Sequence, residues 1–127
     1  MANGFHGKRS EWKRMTKPLK TIDRTLKRFG SEMGLELLRD TRSWPERSFR
    51  WGYPIERLIQ LYLVDQSQLT WSLWVCAVED RADGRYWKRR FLKEAVTMQE
   101  ISDDLPELLR EAHSQVTDWT EQDLDKA

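Results

Sequence analysis

The sequence predicts an α+β fold with an N-terminal amphipathic helix, an antiparallel meander of three to five strands and a C-terminal helix. Three observations carry this prediction. Apolar residues recur at helical spacing near each end of the chain, strand-like runs lie in one block between them, and polar turns separate these runs. Strands in one block with flanking helices are typical of α+β folds rather than of parallel βαβ sheets.

The first helix is predicted from one apolar stripe. Thr16 suits the N-cap, and Pro18 suits the first turn because a missing N–H does no harm there. The stripe repeats at steps of three and four residues, through Leu19, Ile22, Leu26, Phe29 and Met33. We expect the helix to end at Gly30 or Gly34, because each glycine weakens a helix by roughly 1 kcal/mol.

Strands are predicted where apolar, β-branched and aromatic residues concentrate. They cover residues 34–40, 48–53, 55–65, 69–80 and 85–92. The first is ambiguous, since residues 35–39 are also compatible with a longer first helix. Pro54 ends the second run, residues 65–68 form a polar turn, and Asp83 with Gly84 is typical of a two-residue hairpin turn.

The hairpin turn also predicts a register. With Asp83 and Gly84 as the loop residues, Glu79 faces Lys88, which is a favourable cross-strand charge pair. The same register gives three further pairs, namely Ala82 with Arg85, Cys76 with Phe91 and Val75 with Leu92.

Both faces of the predicted sheet are apolar. A four-residue loop at residues 65–68 places Val64 opposite Leu69, and the strands pair outward from there. One face then carries Leu58, Tyr62, Val64, Leu69, Trp71, Leu73, Val75, Ala77 and Leu92. The other carries Ile59, Leu61, Leu63, Trp74, Cys76, Val78, Trp87 and Phe91. Each face therefore needs a cover. Either each helix covers one face, or both helices cover one face and the second face meets a partner subunit or encloses a ligand.

The C-terminal helix is predicted in two parts. Residues 97–100 and 104–107 both have capping-box spacing, which indicates a short turn over residues 98–102 and a main helix over residues 104–118. The apolar stripe of the main helix is Leu105, Leu108, Leu109, Ala112, Val116 and Trp119.

Length and composition exclude several classes of protein. We expect residues 1–127 to form a single domain, with residues 1–15 and 120–127 mobile. No apolar run approaches the roughly 20 residues of a membrane helix. The start of the chain lacks the apolar stretch of a secretory signal, so we expect a cytoplasmic protein. The single cysteine excludes an internal disulfide and a cysteine-based zinc site.

The net charge of +1 conceals an asymmetry. Residues 1–57 hold 14 Lys and Arg against 7 Asp and Glu, a net charge of +7. Residues 58–95 carry +1, and residues 96–127 hold 2 against 9, a net charge of −7. Either the basic front binds an anionic partner, or the basic and acidic segments face each other and their fields partly cancel.

Arginine and tryptophan are concentrated in a loop near the middle of the chain. The candidate binding residues of this loop are Trp44, Arg47, Arg50 and Trp51. The guanidinium fork of arginine suits a carboxylate or phosphate, and tryptophan offers an apolar platform. The alternative is that Trp44 and Trp51 close the ends of the core while Glu46 pairs with an arginine.

A second candidate cluster lies on the last predicted strand. It contains Arg85, Trp87, Arg89 and Arg90. Interleaved basic and aromatic residues on a sheet bind single-stranded nucleic acid through phosphates and base stacking. The alternative is an edge strand that its charges keep soluble and unpaired, with Glu79 and Asp80 lowering the positive potential from across the hairpin.

Catalytic chemistry has little support in the sequence. His113 lies off the apolar stripe, where we expect a solvated side chain, and Cys76 lies among apolar residues, where a thiol is normally inert. The sequence contains no metal-binding histidine spacing, nucleophile elbow or phosphate-binding glycine loop. We therefore expect neither a cofactor nor a metal.

The leading hypothesis is a small Trp-rich binding module that acts through protein–protein interaction, either as a homodimer or with another protein. Seven tryptophans in 127 residues and the apolar pattern on both sheet faces favour it. One alternative is an anion or nucleic-acid binder that uses the arginines of the two clusters. Another is a small-ligand sensor or enzyme with a cavity against Trp74 and Trp87.

Overall fold

The computed structural model describes residues 9–40, 46–65 and 67–127, with side chains described from residue 19 onward except at residue 40. In this part, one helix precedes a six-stranded antiparallel sheet, and a second helix lies in the chain between the fifth and sixth strands. The elements are α1 (Arg9–Met33), β1 (Leu38–Asp40), β2 (Glu46–Trp51), β3 (Glu56–Asp65), β4 (Thr70–Arg81), β5 (Gly84–Thr97), α2 (Met98–Asp118) and β6 (Asp125–Lys126). The predicted class and helix–strands–helix order are confirmed, but the strand count exceeds the predicted three to five. Neither described helix is long and apolar enough to span a bilayer.

α1 begins earlier than the sequence predicts and ends at the second predicted position. It continues N-terminally past the expected cap at Thr16, because residues 9–15 contain no glycine or proline. Gly34 has a φ of +71°, and the N–H of Leu35 donates to the carbonyl of Gly30 at 2.8 Å. Together these form a Schellman terminus. The predicted mobile start thus overlaps α1, and its remainder lies outside the described residues.

α2 is one continuous helix rather than a short turn followed by a main helix. The Thr97 hydroxyl accepts a hydrogen bond from the N–H of Glu100 at 3.3 Å and caps the helix start. Ile101 and Leu105 are both buried, so a single apolar face crosses the predicted break.

Both helices pack against one face of the sheet, and the core lies between the helices and this face. It includes Ile22, Leu26 and Phe29 of α1, Phe49, Ile59, Leu61, Leu73 and Val75 of the sheet, and Ile101, Leu105 and Leu109 of α2. The Arg57 side chain holds the end of α2 to β3, because it donates to the carbonyls of Val116 at 2.9 Å and Trp119 at 2.8 Å.

α1 also packs against α2. The helix of the basic segment therefore lies beside the helix of the acidic segment. This arrangement favours the interpretation in which the two fields partly cancel.

The β3–β4 hairpin differs from the predicted register by one residue. The sequence predicts Val64 opposite Leu69, whereas the structure pairs Leu63 with Trp71 and has a bulge beside them. Leu69 has a left-handed φ of +52°. A slip of one residue moves every side chain of a strand to the other face. Consequently, Leu58 and Tyr62 lie on the face of Trp74, and Ile59, Leu61 and Leu63 lie on the face of Trp71.

The β4–β5 hairpin differs from the predicted register by two residues. Its turn residues are Ala82 and Asp83, and Gly84, with a φ of +139°, already pairs with β4. The predicted pairs are therefore replaced: Glu79 faces Tyr86 instead of Lys88, Cys76 faces Arg89 and Val75 faces Arg90. A shift of two residues keeps each side chain on its predicted face.

The last residues form regular structure where the sequence predicts fraying. A 3₁₀ turn over Glu121–Asp123 leads into β6, which pairs with β5. Leu124 is buried, and the N–H of Ala127 donates to the carbonyl of Arg85 at 2.8 Å. A single buried leucine leaves no periodic pattern in a sequence, which is why the sixth strand was not predicted.

Candidate binding face on the open side of the sheet

The open face is the side of the sheet opposite the two helices. Both described helices pack on the other side, which agrees with the second of the two predicted arrangements and not with one helix on each face. The registers align the residues of the open face in rows across the strands. One row is Leu38, Ser48, Gln60, Trp74 and Phe91; the next is Arg50, Leu58, Cys76 and Arg89; the third is Glu56, Val78, Trp87 and Asp125.

Four aromatic rings on this face form what we call the aromatic strip: Tyr62, Trp74, Trp87 and Phe91. The centroids of Tyr62 and Trp74 lie 5.9 Å apart, and those of Trp74 and Phe91 lie 5.7 Å apart in a stacked arrangement. The guanidinium of Arg89 lies 5.6 Å from the Trp74 centroid and 5.0 Å from that of Trp87. Phe91 is 36 % exposed and the other rings are half-buried, so the strip presents apolar surface to solvent.

Hydrogen bonds fix the central ring of the strip. The indole N–H of Trp74 donates to Oε1 of Gln60 at 2.6 Å, and Nε2 of Gln60 donates to Glu46 at 2.5 Å. The first of these hydrogen bonds satisfies the indole N–H within the protein, and the second holds Gln60 in place. The apolar ring is therefore held in one orientation before any partner binds, which lowers the entropy cost of association.

A polar groove of about 610 Å³ lies at one end of the open face. Its walls carry two ion pairs, Arg50 with Glu56 at 3.3 Å and Arg85 with Asp80 at 2.8 Å. The hydrogen bond from Arg85 holds the pKa of Asp80 below its usual value. Tyr53, also in the groove lining, is 93 % exposed. Neither Trp74 nor Trp87 lines this groove.

Charges of the two signs are nearly balanced on the open face. Outside the bulged segments, the registers of β2 to β6 place three arginines and four carboxylates there: Arg50, Arg85, Arg89, Glu46, Glu56, Asp80 and Asp125. Such a surface has no strong field of either sign, so long-range attraction of a polyanion is weak.

The candidate residues from the sequence divide between the two sides of the sheet. Arg50, Arg85, Trp87 and Arg89 lie on the open face, and Arg50 and Arg85 meet in the polar groove. Arg47, Trp51 and Arg90 lie on the helix side. Trp44 falls outside the described residues.

The candidates on the helix side make structural contacts. Arg47 is buried and donates to Asp23 of α1 at 2.6 Å. The Trp51 ring stacks on His113 with centroids 5.3 Å apart, as expected for a residue that packs against the core. Glu46 accepts from Gln60, and within the described residues it forms no ion pair with an arginine.

His113 differs from the solvated side chain that the sequence predicts. Its ring lies between Trp51 and Phe29, with the Phe29 centroid 6.1 Å away. Burial lowers the pKa of His113. The neutral imidazole is therefore the form that fits this contact.

Gln60 and Tyr62 belong to the open face, whereas the predicted β3 register, which is displaced by one residue, places both on the other side of the sheet. A usable signal was present. Gln60 is the polar residue between Ile59 and Leu61, and in a strand with a dry face the polar positions mark the other face.

Two features of the described residues bear on reactive chemistry, the single cysteine and the grouping of possible metal ligands. Cys76 is buried, and burial raises the pKa of its thiol, which leaves little of the nucleophilic thiolate. No group of three or more His, Cys, Asp or Glu in the described part of the chain is placed to hold a metal ion.

Comparison with known proteins finds no protein family, no curated protein and no solved structure that matches this chain. The geometry of the open face is thus the basis for a functional proposal.

Proposed function

We propose that this protein is a small binding module that associates with proteins through its open face, and that a second copy of the chain is one such partner. The aromatic strip carries the proposal. The sheet buries one face under two helices and presents Tyr62, Trp74, Trp87 and Phe91 on the other. Aromatic residues and arginine are the side chains most enriched at protein interfaces.

The size of the open face suits a small dimer interface. Strands β2 to β5, at about 4.8 Å spacing and about 3.3 Å rise over seven residues, give a flat area of roughly 450 Å² per copy. Two copies then bury about 900 Å², and side-chain relief increases this towards the roughly 1,000 Å² of a specific interface.

Charge balance supports a protein partner over a nucleic acid. The arginines Arg50 and Arg85 are already paired with carboxylates, and Arg89 lies against two indole rings. A second copy brings the same balanced set of charges and meets little net repulsion. A polyanion instead meets Glu46, Glu56 and Asp80 beside those arginines.

Light scattering after gel filtration tests self-association. At tens of micromolar we expect twice the mass of the 15.3-kDa chain for the wild type and the single-chain mass for Phe91→Asp. Arg110→Asp, on the exposed side of α2, is the matched control and keeps the wild-type mass. A monomeric wild type removes the second copy as partner.

Photocrosslinking then tests the open face itself. Benzoylphenylalanine replaces Phe91 in one variant and Glu111, exposed on α2, in the other. We expect protein adducts from the first position and none from the second. Equal adducts from both, or adducts that a nuclease removes, contradict a protein-binding open face.

A further inference from the structure

Among the described strands, β5 has an edge that is paired at one end only. β6 pairs with it only at Tyr86 and Trp87. From residue 88 onward, no strand in the described part of the chain pairs with β5 on the side away from β4. The free N–H and C=O groups of such an edge are a template for another strand.

The direction of these backbone groups follows from the last hydrogen bond of the sheet. The carbonyl of Arg85 points away from β4, because it accepts from the N–H of Ala127. The direction alternates along an antiparallel strand, so the N–H groups of Arg89 and Phe91 also point outward. Those of Lys88 and Arg90 point toward β4.

Three consecutive positive charges mark this edge, which we call the basic run: Lys88, Arg89 and Arg90. Each of these three side chains contacts an uncharged group. The Lys88 Nζ lies 5.1 Å from the Trp119 centroid, Arg89 lies against two indoles, and Arg90 donates to Gln115 at 3.3 Å. Within the described residues, none of the three forms an ion pair with a carboxylate.

The basic run faces both sides of the sheet. Arg89 lies on the open face, whereas Lys88 and Arg90 lie on the helix side. A nucleic acid on the open face meets Arg89 but not the other two, and it leaves the backbone edge unpaired. A second copy of β5 presents the same charges and is repelled. An added strand with consecutive carboxylates meets the charges on both sides and completes the backbone pairing.

We propose that β5 accepts an extended acidic segment of another protein as an additional strand at residues 88–91. The register shifts of the β4–β5 pair beyond Phe91 limit the regular edge to about these four residues. This proposal is independent of the open-face dimer, since it uses the edge of the sheet rather than its face.

The test uses a fluorescein-labelled eight-residue peptide with Asp-Glu-Asp at its centre and Val and Thr around it. We expect saturable binding by fluorescence anisotropy at low ionic strength. Lys88→Glu/Arg89→Glu/Arg90→Glu is expected to weaken binding by about tenfold or more. Lys20→Glu/Arg24→Glu/Lys27→Glu, on the exposed side of α1, makes the same change in net charge and keeps most of the affinity.

Strand addition predicts two results that charge attraction alone does not. Hydrogen exchange of the Arg89 and Phe91 amides should slow on binding, while that of Lys88 and Arg90 stays unchanged. A peptide N-methylated at alternate residues cannot pair and should lose binding. The hydrogen-exchange and methylated-peptide measurements both use the wild-type protein, so their result does not depend on whether a variant folds. No binding, equal binding of the methylated peptide, or tighter binding of a dT12 oligonucleotide at the same residues overturns the proposal.

Discussion

The guanidinium of Arg47 in β2 grips the carboxylate of Asp23 in α1 with two hydrogen bonds, 2.6 Å from Nε and 3.2 Å from Nη2. Arg47 is 5 % exposed and Asp23 13 %. This ion pair joins the first helix to the sheet at a site that water barely reaches.

Asp23→Asn is therefore expected to destabilise the protein by about 3 kcal/mol, because it leaves a buried guanidinium without its counter-charge. Urea unfolding measures the change. Glu56→Gln breaks the exposed Arg50–Glu56 pair and should cost less than about 1 kcal/mol. Equal effects from the two substitutions would show that burial does not govern the Arg47–Asp23 contact.

Gly30→Ala should destabilise the protein, although the same change in an exposed helix stabilises by about 1 kcal/mol. A Cβ at Gly30 would lie 2.6 Å from the carbonyl oxygen of Leu35 and 3.1 Å from the Phe49 ring. The backbone of the Schellman terminus must shift to admit it. Ser31→Ala, at the exposed neighbouring position, should leave the thermal midpoint unchanged or raise it. A higher midpoint for Gly30→Ala contradicts the close approach.

Gln60→Met should release the Trp74 ring of the open face. The substitution removes the acceptor of the indole N–H and the donor to Glu46 at a cost of about 1 kcal/mol. We expect the Trp74 indole resonance to shift and broaden in nitrogen–proton correlation spectra. Gln115→Met removes a hydrogen-bonding amide on α2 and should leave that resonance in place. A sharp, unshifted Trp74 signal in Gln60→Met would contradict the anchoring role.

Stability should fall as the pH drops through the titration of His113. Burial places the pKa of His113 below its unfolded value of 6.5. The unfolded chain therefore binds the proton first, and the free energy of unfolding decreases from just above pH 6.5 down to the lower folded pKa.

His113→Phe keeps a ring against Trp51 and removes the titration. Its unfolding free energy should depend less on pH between 7 and 5 than that of the wild type. Ser114→Ala should retain the wild-type dependence. Denaturant titrations at several pH values measure this dependence. If the unfolding free energy changes with pH equally in His113→Phe and in the wild type, His113 makes no contribution to it.

The sequence predicted the elements that local pattern determines. The stripe from Leu19 to Phe29 is buried as expected, although Met33 at its end is 41 % exposed, and the helix ends at Gly34, the second of the two predicted positions. The apolar runs predicted as strands over residues 55–65 and 69–80 form β3 and β4. These features depend on the composition and spacing of neighbouring residues, which a single sequence displays directly.

The features that the sequence did not predict depend on how segments that are distant in the chain pair with one another. The bulge beside Val64 changed which side of the sheet Tyr62 occupies, and no local propensity signals such a bulge. Pairing of residue 126 with Tyr86 connects distant segments. For the open face, Trp87 and Arg89 were predicted as candidates, but the contacts of Arg89 with Trp74 and Trp87 follow from the register of β4 with β5.

The order of the strands in the sheet, β1 to β6, is their order in the chain. Every pairing from β1 to β5 therefore closes a short loop, and a nascent chain can add each strand to the one just made. The final strand is the exception, because its partner lies some forty residues earlier with α2 between them. We therefore expect β1 to β5 to pair rapidly. β6 can pair with β5 only after α2 has packed against the sheet, so the pairing of β6 is a late step in folding.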